Sequence, residues 1–306
     1  MRLGVVAGAG AATIVGASVP VTGMLEGYPL LTGQAMRYAL GAAVLLLVVL
    51  VSGKRLPLPA LRDMPALLGL VATGMLGFNA VILAAQRYAE PGFVAAVLGA
   101  SPIALALLAA RRSAAAVVGA VVVGAGVVVL SGGGAWHGPG LALALLTMAG
   151  EVSFTVFAVG VVRRLGVLAV STWTCLLAAV IGAVAGTFVG GWRMPDTRQL
   201  VALILLGTLL TAVAFGLWYF SVNTLGPDRA GVLIGMMPVS GLVTSVALGA
   251  QQLTLVSVLG ALTVGLGCVI GLRRGRSANL SRGPLEGDTP ETTLPHSTDI
   301  SAGAVQ

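Results

Sequence analysis

Long apolar runs, separated by short polar or Gly- and Pro-containing segments, follow one another along most of the chain. Within each run the apolar residues are continuous and do not alternate with polar ones, which favours helices over the strands of a membrane barrel. A helix needs roughly 20 apolar residues to cross a bilayer. Ten runs approach this length, at residues 3–24, 30–51, 66–87, 92–110, 114–130, 140–162, 167–188, 200–220, 230–250 and 253–272. The pattern predicts an all-α membrane protein with ten transmembrane helices.

Composition agrees with this pattern and sets apart the end of the chain. Only 9% of the residues are charged, whereas a soluble domain carries about 25%. Residues 273–306 differ from the rest because they are polar and rich in Pro, Gly, Ser and Thr. Such a segment has too few apolar groups to build a core. We therefore expect a disordered tail over residues 273–306.

The two halves of the apolar region resemble each other. Shifting the chain by 136 positions superposes, without a gap, Arg62 on Arg198, Pro91 on Pro227, Gly99 on Gly235, Pro102 on Pro238 and Gly124 on Gly260. Matches between Ala or Leu are frequent by chance in such a chain, but matched Pro and Arg pairs are less so. The offset predicts a duplication, with one five-helix repeat at residues 1–131 and a second at residues 132–272.

The distribution of basic residues predicts how the repeats are oriented. With the N-terminus in the cytoplasm, thirteen Lys and Arg residues lie on the inner side and three, Arg87, Arg193 and Arg198, on the outer side. Cytoplasmic loops carry this excess in membrane proteins. Because five is an odd number of crossings, the second repeat is inverted relative to the first. We expect a multi-pass protein of the cell membrane with both termini in the cytoplasm.

The net charge of +7 does not indicate a nucleic-acid partner, because the basic residues occur singly or in pairs between apolar runs. Membrane lipids and a small-molecule substrate are the expected partners, and a homo-oligomer remains open. Inverted repeats are typical of secondary transporters, whose substrate site lies near the membrane midplane.

Several of these segments resemble a known family. The stretch PGFVAAVLGASPIALALLA, its repeat mate GPDRAGVLIGMMPVSGLVTSVALGAQQLT and the basic end of the sixth helix are similar to EamA-type transporters of the drug/metabolite transporter superfamily. The resemblance covers about residues 1–272, although the first helix lacks the tryptophan often seen there. It implies a gradient-driven carrier of small metabolites with a central cavity between the halves.

Glu151 is the first candidate site residue, since it lies near the middle of the sixth run. A charged acidic residue at the bilayer centre costs about 2.5–3.5 kcal/mol on insertion scales. This cost indicates a cavity, a partner or a protonated carboxyl, and it favours a role in proton coupling. The alternative is a glutamate that only locks helix packing.

Arg37, inside the second run, is the second candidate. It would contact an anionic substrate or a gate, pair with Glu151, or extend towards the outer headgroups. Further cavity-lining candidates are the polar and aromatic residues Gln34, Asn79, Trp173, Trp218, Tyr219 and Asn223. For each of these, hydrogen bonding between helices is the alternative role. Trp173 is interior by residue count.

Pro102 and Pro238 are candidates for gating because they occupy matched positions in the fourth and ninth runs. Proline removes a backbone hydrogen bond and kinks or loosens a helix. Bends that serve packing alone are an equally simple interpretation.

Missing motifs narrow the function further. The one lysine, Lys54, is not in a nucleotide-binding loop, and neither histidine, His137 or His296, lies inside a run. No metal, cofactor or enzymatic activity is therefore expected. The sequence favours a secondary transporter of small metabolites that exports by alternating access with proton coupling. A channel or a transport-inert membrane scaffold is the alternative.

Overall fold

The computed structural model describes residues 1–18, 21–22, 24–25, 27–89, 91–109, 113–132, 135–247 and 252–273. Over these ranges the regular secondary structure is helical, and one isolated antiparallel bridge joins Ala89 and Trp136. Every one of the ten predicted runs contains helix. The predicted tail lies outside the described residues after Arg273.

We number the helices of the described ranges in chain order. They are α1 (Arg2–Ala17), α2 (Leu30–Val51), α3 (Leu61–Ala85), α4 (Pro91–Leu98), α5 (Ser101–Leu108), α6 (Ala114–Ser131), α7 (Gly140–Leu165), α8 (Val167–Val189), α9 (Thr197–Leu225), α10 (Pro227–Val232), α11 (Met236–Ala247) and α12 (Leu255–Leu272). Seven of them, α2, α3, α6, α7, α8, α9 and α12, are long and apolar enough to cross a membrane. The chain is therefore an all-α membrane protein.

The fourth and ninth predicted helices are both interrupted just before their proline. Helix α4 ends at Leu98, and Pro102 lies in the first turn of α5. In the second half, a 3₁₀ turn at Leu233–Gly235 separates α10 from α11, whose first turn holds Pro238. Proline has no backbone N–H to donate, so it is tolerated in a first turn and breaks a helix interior.

Helices α3 and α9 each contain a stretch of π-helix, at Leu70–Gly77 and Leu206–Val213. Both ends of the two stretches differ by the repeat offset of 136 residues. π-helix is rare, and where it occurs inside an α-helix it is frequently at a functional site.

The main packing pairs join the two predicted repeats. Helix α2 packs along α8, α6 along α12, α1 against the C-terminal part of α9 and against α11, and α7 against α3. Small residues allow these close approaches, since a Cβ on Gly119 would meet the backbone of Gly271, and one on Gly186 would meet Thr32. Small residues at helix crossings have this role in membrane bundles.

Candidate functional site

A group of polar residues lies in the core, and most of it comes from one face of α2. Gln34, Arg37 and Tyr38 are spaced three and four residues apart, which places them on one side of a helix. Their exposed fractions are 8%, 8% and 1%. Gly41 continues this face and packs on Thr211 and Gly207 of α9. The polar face of α2 is therefore directed into the bundle.

The Arg37 side chain bonds to groups in the core. Its Nε donates a hydrogen bond to Oγ1 of Thr211 at 2.9 Å, and its Nη1 donates to Oε1 of Gln34 at 3.3 Å. The guanidinium carbon lies 5.2 Å from the centre of the Tyr38 ring, within range of a cation–π contact. With 8% exposure, the side chain does not extend to the headgroups.

Asn79 of α3 connects to the same residues. Its Oδ1 accepts a long hydrogen bond from Nε2 of Gln34 at 3.4 Å, and its Nδ2 lies 3.5 Å from the Tyr38 hydroxyl. Nδ2 also donates to the carbonyl of Met75 at 2.7 Å. We call Gln34, Arg37, Tyr38, Asn79 and Thr211 the polar cluster.

Both π-helical stretches contribute to the polar cluster. Thr211 lies in the stretch of α9, and its hydroxyl donates to the carbonyl of Leu206, five residues earlier, at 3.0 Å. That hydroxyl is then free to accept from Arg37. In α3, Met75, the carbonyl partner of Asn79, belongs to the other stretch. The two unusual helix segments thus hold side chains on either side of α2.

Aromatic rings extend from the polar cluster towards α7. The centre of the Tyr38 ring is 6.5 Å from that of Phe215, and the Phe215 ring is 5.1 Å from Phe154. Phe154 also stacks on Tyr219 at 5.3 Å. Tyr219 is fully buried and Trp218 is 5% exposed, so both of these predicted residues belong to the core.

Glu151 lies on α7, one helical turn before Phe154, on the buried face. Thr147 and Thr155, four residues on either side, are completely buried, whereas Glu151 is half-buried. Among the described residues its carboxyl group has no hydrogen bond and no salt bridge, and the Thr155 hydroxyl has no hydrogen-bond partner. Glu151 and Arg37 do not form an ion pair.

Trp173 is at one end of the bundle and is separate from the polar cluster. Its Nε1 donates to the carbonyl of Pro57, in the loop before α3, at 3.0 Å. Beside this loop, at the start of α3, Asp63 accepts two hydrogen bonds from Arg164 of α7, at 2.7 Å from Nε and 2.5 Å from Nη2. We call Pro57, Asp63, Arg164 and Trp173 the Asp63 end. The residue count predicts an interior position for Trp173, and its side chain is partly buried against the core while its indole bonds to this loop.

A second set of contacts lies at the start of α2, whereas the Pro57 loop follows the other end of this helix. The Tyr28 hydroxyl donates to the carbonyl of Arg193 at 2.5 Å, and Nη2 of Arg193 donates to the carbonyl of Gly27 at 3.2 Å. We call Gly27, Tyr28 and Arg193 the Tyr28 end. Asn223, another predicted site residue, is exposed and forms no hydrogen bond with the polar cluster within the described residues.

Sequence reasoning missed several of these residues. Tyr38 could have been found, because it follows Arg37 and lies four residues after Gln34. Thr211, Phe154 and Phe215 had no such signal, since each occurs within an apolar run. In the described part of the chain, no three His, Cys, Asp or Glu residues lie close enough to hold a metal ion.

Comparisons with known proteins agree with this architecture. Residues 138–273 match the profile of the EamA-like transporter family. A protein of Bacillus subtilis (strain 168), named uncharacterized transporter YetK, is 23% identical over 279 residues, which cover 86% of this chain and 83% of that protein. One crystal structure of a protein superposes with a TM-score of 0.76 at 22% identity, covering 87% of this chain and 95% of that one, which indicates a shared fold. The second half of the chain is thus similar to EamA-like transporters, and this match together with the transporter relative supports a membrane transporter.

Proposed function

We propose that the protein is a secondary transporter that exports small metabolites across the cell membrane by alternating access, with Glu151 as the proton-coupling group. The observation that carries this proposal is the position of Glu151. It is a half-buried carboxyl halfway along a membrane-spanning helix, with no partner among the described residues. A carboxyl that only locked packing would be hydrogen-bonded to a neighbouring helix.

An inverted-repeat architecture of ten helices is part of the proposal. The π-helical stretches, the starts of α3 and α9 at Leu61 and Thr197, and the starts of α4 and α10 at Pro91 and Pro227 all differ by 136 residues. When a two-fold axis relates two repeats, helices that lie next to the axis pack against their own repeat mates. The pairs α2 with α8 and α6 with α12 are such mates, which supports the proposed symmetry.

Alternating access needs contacts between the repeats that close one end and then the other. The Asp63 end joins α3 to α7, and the Tyr28 end joins the start of α2 to the loop before α9. Each end therefore links a segment of residues 1–131 to one of residues 132–272. In the proposed orientation the Asp63 end is cytoplasmic, and the interrupted helices at Pro102 and Pro238 are the elements that move between the two states.

The surroundings of Glu151 support a role in proton coupling. Moving a charged carboxylate into an apolar region is costly, so the group binds a proton where water is excluded and releases it where water enters. A change of access between the two sides of the membrane would then load and unload the proton. Tyr219, which stacks on Phe154, and the buried Trp218 would line the path of the substrate.

The test is the substitution Glu151→Gln in the full chain, reconstituted into liposomes with an imposed pH gradient. The amide keeps the shape of the side chain and cannot exchange a proton at neutral pH. We expect loss of gradient-driven accumulation of a substrate found by screening, with counterflow of that substrate retained. Assays of both membrane orientations would identify the direction of transport.

Asp196→Asn is the matched control. It removes one carboxylate outside the membrane, and asparagine replaces aspartate well as the N-cap of α9. We expect this variant to transport like the parent protein. Unchanged concentrative transport in Glu151→Gln would exclude the coupling role, and flux that neither saturates nor responds to pH in the parent would favour a channel.

A further inference from the structure

We propose that Arg37 binds a carboxylate group of the substrate, so that the transported metabolites are small carboxylic acids. This rests on the proposed transport function and adds a substrate class to it. Arg37 is the one basic side chain that lies inside a described membrane-spanning helix away from its ends. Its guanidinium is charged at any physiological pH.

No acidic side chain of the described residues pairs with the charge of Arg37. Within the described residues, the hydrogen-bond acceptors of its guanidinium are the neutral oxygens of Thr211 and Gln34, and the Tyr38 ring adds a weak attraction. The salt bridge found among the described residues joins Asp63 to Arg164 and does not involve Arg37. A buried charge is ordinarily paired, because leaving water without a partner costs several kcal/mol. An anionic ligand would supply the missing partner.

The guanidinium also has unused donors. Arginine carries five N–H groups, and two of them are used by Thr211 and Gln34. Nη2 donates no hydrogen bond among the described residues. Two parallel N–H groups of a guanidinium match the two oxygens of a carboxylate. The amides of Gln34 and Asn79, bonded to each other at 3.4 Å, offer further polar contacts to the rest of such a ligand.

Charge balance selects a carboxylate over a phosphate. A phosphate monoester carries about −1.5 to −2 at neutral pH, and the polar cluster has one positive charge. A carboxylate carries one negative charge, which balances the single positive charge of Arg37. The two anions share their mode of binding to arginine, so the experiment has to compare them directly.

The experiment measures ligand binding at equilibrium, as the shift in melting temperature of the purified full chain in detergent. The probes are the monocarboxylates acetate, pyruvate and lactate, each at constant ionic strength, with acetamide, chloride and inorganic phosphate for comparison. We expect at least one carboxylate to raise the melting temperature of the parent, and acetamide and chloride to have no such effect.

The central variant is Arg37→Gln, which should weaken the apparent affinity for that carboxylate at least about tenfold, since it removes a charged hydrogen bond. Arg198→Gln is the matched control, because it makes the same change at an exposed position near the start of α9. We expect it to bind like the parent. Arg37→Lys keeps the positive charge but lacks the two parallel N–H groups, so it should bind the carboxylate more weakly than the parent. This variant tests the proposal if Arg37→Gln fails to fold.

Three results would overturn the inference. These are a melting temperature that no carboxylate raises, equal stabilisation by acetamide, and carboxylate binding by Arg37→Gln as strong as in the parent. Preferential binding of phosphate would overturn the substrate class. Because no gradient is applied, Glu151→Gln should still bind the carboxylate, so loss of proton coupling and loss of carboxylate binding are separate outcomes.

Discussion

At the scale of single residues, four charged side chains lie in two kinds of surroundings. Arg37 and Glu151 lie within the bundle and carry the proposed chemistry, whereas Asp63 and Arg164 meet at one end of it. The second pair is unequal, because the Asp63 side chain is 2% exposed and that of Arg164 is 42% exposed. Solvent therefore screens the attraction from one side only.

The Asp63–Arg164 pair can be tested with a double-mutant cycle. We expect Asp63→Asn and Arg164→Gln each to lower the unfolding free energy in detergent, and the double variant to lose less than the sum. Because Arg164 is partly exposed, the coupling should be about 0.5–1 kcal/mol, as for exposed pairs. Strictly additive losses would mean that the two side chains do not stabilise the contact between α3 and α7.

At the scale of helices, the local deviations from α-helix are the informative features. The two π-helical stretches turn Thr211 and the Met75 carbonyl towards the polar face of α2. The interruptions before Pro102 and Pro238 break the regular pattern of backbone hydrogen bonds in the fourth and ninth predicted helices. Regular helix elsewhere provides the rigid support, most clearly in the contact of α6 with α12.

The α6–α12 contact depends on glycine, and two positions of α12 allow a matched test. A Cβ on Gly267 would lie 2.6 Å from the backbone nitrogen of Val123 and 2.8 Å from the carbonyl oxygen of Gly119. A Cβ on Gly265 would meet nothing within 4 Å. We expect Gly267→Ala to destabilise the fold by about 1–3 kcal/mol through overpacking. Unfolding in detergent measures this change.

Gly265→Ala is the control on the same helix. Alanine has the higher helix propensity, so this change should leave stability unchanged or raise it by up to about 1 kcal/mol. If both alanine variants were equally stable, close backbone packing between α6 and α12 would not hold the two halves together.

At the scale of the whole molecule, the proposed inverted repeat makes a definite statement about topology. Reporter fusions at the N-terminus, in the 52–62 loop, at the junction of α7 and α8 (residues 163–166) and after residue 273 should report a cytoplasmic location, since basic residues concentrate there. A fusion in the 190–196 loop, at the Tyr28 end, should report the outer side. An external signal from the 52–62 loop would contradict the inverted arrangement of the repeats.

The sequence by itself determined the helical membrane class and the approximate course of the helices. This was possible because the apolar runs are long and each crossing must satisfy its own backbone hydrogen bonds. It also determined the 136-residue offset, since Pro and Arg matches such as Pro102 with Pro238 are visible without a structure. Glu151 and Arg37 were identifiable as candidate site residues because burying a charged side chain in the membrane is costly.

Tertiary structure decided which of these residues meet. Arg37 and Thr211 are 174 positions apart, and their hydrogen bond depends on the packing of α2 against α9. Trp173 and Asn223 are both cavity-lining candidates by sequence, but the Trp173 indole bonds to the Pro57 loop and Asn223 is exposed. In an all-apolar helix the sequence has little periodic contrast, so the direction of each face is set by the neighbouring helices.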